Sequence, residues 1–308
     1  LQTAPLRIGT RGSPLALAQA QEVAARLAEA HGWEPNEIEI ITFKTMGDAI
    51  VDRPLSEFGG KGLFTKEIES ALLEGRIDLA VHSAKDMQTN LPGGLTLRAT
   101  LPREDVRDAF LSSTAANLAA LPEGAVLGTS SLRRKALALM TRPDLKVVDF
   151  RGNVATRLKK LDEGVADATM LAAAGMKRLG MIDKATSFVA TADFPPAVGQ
   201  GAIAIEARTN SERVGELLAP INDPTTMVCI EAERAFLAAL DGSCRTPIGG
   251  LAEVEGDAIT FRGIIVTPDG RESHRVERKG AVPDAAMVGR EAGEELARRG
   301  GPNFFDAP

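Results

Sequence analysis

Tyrosine is absent, tryptophan occurs once and aromatics are only 4% of the chain, so aliphatic side chains must fill the cores. Two cysteines, Cys229 and Cys244, are too few for a disulfide framework and fit a reducing compartment. His31, His82 and His274 are scattered and no cysteine pair has ligand spacing, so no metal site is expected. No apolar run approaches the roughly 20 residues of a membrane span, and the first eight residues lack a signal-peptide pattern. Low-complexity segments and internal sequence repeats are also missing. What is present is an ordinary globular composition, 44% hydrophobic and 25% charged, in 308 residues, enough for two or three domains.

Residues 128–157 stand out against that background. They hold seven cations (Arg133, Arg134, Lys135, Arg142, Lys146, Arg151, Arg157) against Asp144 and Asp149, a net of +5 within a total of −6. The remainder therefore carries −11. The basic pieces follow turn-forming residues, Gly128-Thr129-Ser130-Ser131 and Arg151-Gly152-Asn153, where helices would open. Helix N-termini offer free N–H groups, and arginine adds a planar fork matched to carboxylate or phosphate. A solvated basic helix face is the plainer reading of such charge. A nucleic-acid groove fits poorly, because Phe150 is the one aromatic in the segment and the acidic whole would repel a long phosphate backbone. A small, multiply charged acid suits the pattern better.

Strands are expected at 6–10, 37–43, 77–82, 126–129, 146–150, 168–171 and 202–207, with helices at 13–30, 63–74, 131–140, 154–163 and 172–179. This alternation predicts an α/β fold with sheets covered by helices. The glycine-rich connection 45–62 reads as a mobile cover. Phe194-Pro195-Pro196-Ala197 has the composition of a hinge at which the chain would return to its first unit. After Asn222-Asp223-Pro224 the pattern becomes helix 226–240, strands 251–255, 258–266 and 272–278, and a helix to Arg299, an α+β unit. The expected domains are 1–101 with 200–221 (α/β), 102–199 (α/β, with the arginines) and 222–308 (α+β).

Cys244 lies among small residues in Asp241-Gly242-Ser243-Cys244-Arg245-Thr246-Pro247, where its sulfur is approachable and Arg245 favours the thiolate. It is a candidate point of covalent attachment, whereas Cys229 reads as an inert helical residue. Val81-His82-Ser83-Ala84-Lys85-Asp86 places three polar side chains at the end of a strand. Asp86 there is either a turn cap partnered by Lys85 or a lone acid able to stabilise cationic intermediates. The GGKG at 59–62 lacks the spacing and the following hydroxyl of a nucleotide-binding P-loop.

Eight segments in order, 7–19 (RIGTRGSPLALAQ), 59–65 (GGKGLFT), 81–86 (VHSAKD), 128–134 (GTSSLRR), 151–157 (RGNVATR), 174–180 (AGMKRLG), 198–202 (VGQGA) and 242–248 (GSCRTPI), resemble the porphobilinogen deaminase family over nearly the whole chain. The resemblance implies two periplasmic-binding-protein-like α/β domains flanking a cleft, and a smaller α+β C-terminal domain whose cysteine, here Cys244, carries a dipyrromethane cofactor by a thioether. It implies stepwise head-to-tail condensation of four porphobilinogen molecules with loss of ammonia, then hydrolytic release of 1-hydroxymethylbilane. Matched residue by residue, Asp86 is the catalytic carboxylate, facing pyrrole N–H groups and the azafulvenium left by deamination. Ser83, Lys85, Thr129, Ser131, Arg133, Arg134 and Arg151 would hold the cofactor. Arg11, Ser13, Gln19, Phe64, Arg157, Arg178 and Gln200 would meet the substrate. A monomer in the cytoplasm is expected, or in a plastid if a leader has been removed, with neither nucleic acid nor membrane as partner.

Gln88 departs from the family, which usually has proline there, and Val106 replaces a proline seen in many members. Loss of the ring is expected to loosen the turn after Asp86. Restoring it should stabilise by roughly 0.4–1 kcal/mol, provided the backbone already has a proline-compatible φ and no N–H bond is lost. The competing reading is a two-lobed small-anion binding protein without catalysis, which would need neither Cys244 nor Asp86.

Overall fold

The computed structural model describes residues 5–49, 62–242 and 246–306. They form two compact units, residues 1–104 with 202–227 and residues 105–201 with 228–308.

The first unit holds a five-stranded sheet in the order β2-β1-β3-β10-β4. Its strands are β1 (Leu6–Arg11), β2 (Ile38–Phe43), β3 (Leu79–Ser83), β4 (Leu95–Thr100) and β10 (Ile203–Arg208). β1 is parallel to β2 and β3, while β10 runs antiparallel between β3 and β4. Helix α1 (Pro14–His31) starts where the sequence dictates: Ser13 Oγ accepts the Ala16 N–H, and Pro14 occupies the first turn, where no N–H is needed. Gly32, at φ 66°, ends it in the left-handed conformation. Ala16, Ala20, Val23 and Leu27 are buried along α1, and the last three join Ile8, Val81, Ile203 and Ile205 of the sheet in one core. Short α2 (Met46–Ala49) follows β2, and α3 (Lys66–Leu73) packs Ile68, Ala71 and Leu72 beneath it.

The second unit repeats the same order, β7-β6-β8-β5-β9, although the sequence carries no repeat. Here β6 (Val126–Gly128) is parallel to β7 (Lys146–Val148) and β8 (Ala168–Ala172), and β5 (Asp108–Leu111) runs antiparallel between β8 and β9 (Ser187–Phe188). Each parallel strand leads into a helix: α4 (Leu132–Thr141), α5 (Val154–Asp162) and α6 (Ala173–Arg178). Phe110, Leu127, Leu137 and Met170 form the core.

The same unit contains the antiparallel sheet β11 (Ile248–Glu255), β12 (Ala258–Val266) and β13 (Ser273–Ala281), covered by α8 (Pro224–Ala239) and α9 (Ala285–Gly300). Helix α7 (Glu212–Leu218) belongs to the first unit. Glycines let this layer close: a Cβ on Gly289 or Gly293 of α9 would strike the Ala232 and Phe236 carbonyls of α8. Phe236 and Phe261, both fully buried, meet with ring centroids 4.6 Å apart, and complete burial of such a ring is worth about 1.5–3 kcal/mol. Ile264 and Val266 of β12 join the core built around Phe110, so this layer shares side chains with the β5–β9 sheet.

The segment expected to act as a hinge, Phe194–Ala197, is packed within the second unit. Phe194, Pro195 and Pro196 are buried, and the Pro195 and Pro196 carbonyls accept hydrogen bonds from Arg133 and Gly250 within the second unit. The first unit resumes at Ala202, within two residues of the return expected at 200.

Candidate active site

In the first unit the parallel strands β1 and β3 end at the same sheet edge, where open α/β sheets place ligands. β1 ends at Arg11, and Ser13 then caps α1. β3 runs straight into a single 3₁₀ turn, Ala84–Asp86, which carries half-buried Lys85 and Asp86. A recess there is lined in part by Arg11, Ser13, Gln19, Phe64, Ser83 and Asp86. Arg11 joins two of these, its guanidinium lying 4.3 Å from the Phe64 ring centroid and its Nη1 3.9 Å from Asp86 Oδ2. Buried Gln19 donates from Nε2 to Ser83 Oγ at 2.9 Å, which fixes the hydroxyl at the mouth of the recess. Beneath it His82 Nε2 lies 3.1 Å from Glu206 Oε2, both side chains buried.

In the second unit the parallel strand ends again present donors. Thr129 Oγ1 accepts the Ser131 N–H at 3.2 Å, and Ser131 Oγ caps α4 through the Arg134 N–H at 3.4 Å. Asn153 Oδ1 caps α5 through the Thr156 N–H at 2.9 Å. Between them, half-buried Arg151 lends its carbonyl to Lys160 Nζ at 3.1 Å. Arg157 Nε donates to the Gly152 carbonyl at 2.9 Å, and Gly152, at φ 118°, makes the turn. Arg178, at the end of α6, donates from both terminal nitrogens to the Gly201 carbonyl at 3.2 Å.

Arg133 and Arg134 are placed differently from the other cations. Both are buried, and both point at Asp108 at the start of β5: Arg133 Nη2 lies 2.7 Å from Oδ2 and Arg134 Nη2 2.7 Å from Oδ1. Burial alone would push the Asp108 carboxyl up, but the two guanidiniums and their hydrogen bonds outweigh it and hold it well below the usual carboxylate range. The Gln200 Nε2 group also goes to Asp108 Oδ1, at 3.0 Å, and to the Val106 carbonyl, at 2.9 Å. Neighbouring Gly199 donates to buried Glu233 Oε2 at 2.7 Å, so the VGQGA segment is pinned by two buried acids.

Neither Asp108 nor Glu233 is evident from the sequence. The only hint is that two adjacent arginines at a capped helix start require an acid if they are buried. Cys244, the expected attachment point, lies outside the described residues, as does most of the connection 45–62, with Gly59, Gly60 and Lys61. Among the described residues no group of three His, Cys, Asp or Glu side chains could hold a metal, and no helix is long and apolar enough to cross a membrane.

Residues 6–216 match the family described as porphobilinogen deaminase, dipyromethane cofactor binding domain, and residues 227–298 match porphobilinogen deaminase, C-terminal domain. A porphobilinogen deaminase of Nitrobacter winogradskyi is 60% identical over 298 residues, covering 97% of this chain and 94% of the relative. One of Nitrobacter hamburgensis is 59% identical over the same lengths. Among solved structures, a nutrient binding protein from Burkholderia cenocepacia bound to methionine aligns with 16% identity and a TM-score of 0.43, over 77% of this chain and 96% of that one. A putative methionine-binding lipoprotein from Bacillus subtilis aligns with 13% identity and a TM-score of 0.43, over 72% and 92%.

Proposed function

The chain belongs to the porphobilinogen deaminase family, and from that premise we propose which of its own residues carry the reaction. The enzyme is a hydroxymethylbilane synthase: it condenses porphobilinogen stepwise on a dipyrromethane cofactor to give hydroxymethylbilane. When bound, the cofactor supplies the covalent primer to which pyrroles are added. We assign its attachment to Cys244 and the domains to 1–101 with 200–221, 102–199 and 222–308. A cytoplasmic location fits the sparse cysteines.

The residues present suit a group with pyrrole N–H donors and carboxylate arms. Asp86 is an acceptor for pyrrole N–H, while Ser83, Lys85, Thr129, Ser131 and Arg151 offer donors for acid side chains. Buried Arg133 Nε has no hydrogen-bond partner among the described residues, so this guanidinium retains a donor after meeting Asp108. On the substrate side, Arg11, Ser13, Arg157 and Arg178 would take acetate and propionate groups, with Gln19, Phe64 and Gln200 shaping the position.

The observation that carries this reading is the recess in the first unit, where one carboxylate, Asp86, stands beside a single guanidinium braced on Phe64. Loss of ammonia from the aminomethyl group leaves positive charge on the substrate. A fixed carboxylate balances that charge as it develops, which lowers the barrier more than it stabilises the ground state. An amide cannot do so. Asp86→Asn should keep its covalent cofactor by intact mass yet lose turnover by roughly 10²–10³-fold, the usual cost of one electrostatic partner. Turnover close to the parent would remove Asp86 from this role.

A further inference from the structure

Among the described residues, none hydrogen-bonds the Asp86 carboxylate; its one charged neighbour is Arg11 at 3.9 Å. Among the described residues its position is therefore set by the main chain of the turn that carries it. That turn is tied down two residues later by Gln88. Gln88 Nε2 donates to both carboxylate oxygens of Glu69, at 2.9 and 3.1 Å, and lies 3.4 Å from Thr65 Oγ1. The amide also packs on Gly62, at φ 78°, where an added Cβ would come within 2.6 Å of Nε2. Thr65 follows Phe64, whose ring carries Arg11, which in turn faces Asp86. The contacts close a circuit: Asp86, Arg11, Phe64, Thr65, Gln88, and back through buried Met87.

Glu69, on α3, is 3% exposed. Burial pushes its carboxyl up and the Glu206 charge on β10 adds to that, while hydrogen bonds from Thr65 and Gln88 and the nearness of His82 on β3 oppose it. A buried carboxylate needs donors. Of the two hydrogen-bonding side chains here, Gln88 is the one that comes from the turn rather than from the α3 end.

We propose that Gln88 is a positioning residue for the condensation, latching the turn that bears Asp86 onto Glu69 and so fixing it against Arg11 and Phe64. In this chain a side-chain hydrogen bond does what the family's usual proline ring does by stiffness. The proposal rests on Asp86 being the reacting carboxylate.

The test is steady-state kinetics on the holoenzyme for the parent, Gln88→Glu, and the swap Glu69→Gln/Gln88→Glu, with Asp86→Asn alongside. Gln88→Glu sets two carboxylates face to face. Its kcat should fall roughly tenfold with KM nearly unchanged, since a misplacement on the order of 1 Å can cost up to about 10²-fold. The deficit should shrink at acid pH, where the pair shares a proton, and deepen as pH rises and both ionise. In the swap, the amide at 69 donates to the carboxylate at 88, and kcat should return to within about threefold of the parent, as expected when coupled sites compensate. A parental kcat and pH profile in Gln88→Glu overturns the proposal, as does a swap no better than the single variant. Should Gln88→Glu not fold, Gln88→Met, similar in length but without a donor, should show the kcat loss with no added pH dependence; parental kcat there overturns the proposal equally. Parental turnover in Asp86→Asn would instead overturn the reading on which it rests.

Discussion

With its oxygens taken by Arg133, Arg134 and Gln200, Asp108 balances one of the two buried positive charges and hydrogen-bonds both guanidiniums, which have little water to fall back on. Asp108→Asn would leave two buried positive charges with only neutral acceptors among the described residues, the new amide and the Pro195 and Met170 carbonyls. Removing one partner of such a group typically costs about 3–5 kcal/mol, which urea unfolding would register. The pH dependence has a definite sign. Folding holds this carboxyl below its ordinary value, so its stabilisation is complete above the unfolded-state pKa of about 3.9 and is lost as pH falls through the lower folded value. Urea midpoints taken from about pH 5 downward should drop steeply in the parent and less steeply in the variant. At Gln88 the structure reverses the gain expected from proline. The ring would remove the donor to Glu69, and leaving that buried acid short of hydrogen bonds costs about 1–3 kcal/mol, more than the roughly 0.4–1 kcal/mol of chain entropy recovered. Gln88→Pro should therefore melt at a lower temperature than the parent.

Helices α1, α4 and α5 begin where the sequence says, because a cap is a local device: Ser13-Pro14, Ser131 and Asn153 each satisfy an N–H within three residues. The strands that lead into them, β1, β6 and β7, lie within two residues of the spans expected from the sequence. Not legible are α2, β4, β5, β9 and α7. β9 has two residues, and β5 opens with Asp108, a residue type that sequence reasoning places at surfaces. The same limit applies to the site. Arg133 and Arg134 were evident as cations at a helix start, but which of 42 acids meets them depends on a partner 25 and 26 residues away. One packing consequence can be tested between elements. Gly270, at φ 78° between β12 and β13, faces the α4 backbone, where a Cβ would lie 2.5 Å from the Met140 nitrogen and 2.7 Å from the Ala136 carbonyl oxygen. Gly164, at φ 73°, opens onto empty space. Gly164→Ala should cost only the left-handed strain, about 1–2 kcal/mol. Gly270→Ala should lose about 1–3 kcal/mol more from overpacking, read as a lower denaturant midpoint.

The enzyme is acidic overall, at −6, yet handles a product that gains carboxylates with every step. With limiting porphobilinogen, intact mass spectrometry should show a ladder of evenly spaced covalent species, because each addition leaves one more pyrrole with its acetate and propionate attached. Cys244→Ser should lack the ladder, since a hydroxyl is a far weaker nucleophile than a thiolate at neutral pH. A ladder unchanged in the serine variant would place the anchor elsewhere. The two α/β sheets share one strand order, but the antiparallel strands at their fourth position enter at opposite times. In the second sheet that strand, β5, is the first made; in the first sheet it is β10, which follows every strand of the second. A ribosome emitting this chain therefore releases β1 to β4 long before the strand that joins β3 to β4 exists. The first unit must wait, with buried edges unpaired, while the second sheet receives all of its strands. The order of assembly thus runs against the order of synthesis, and the early segment keeps strand edges open to mispairing until β10 arrives.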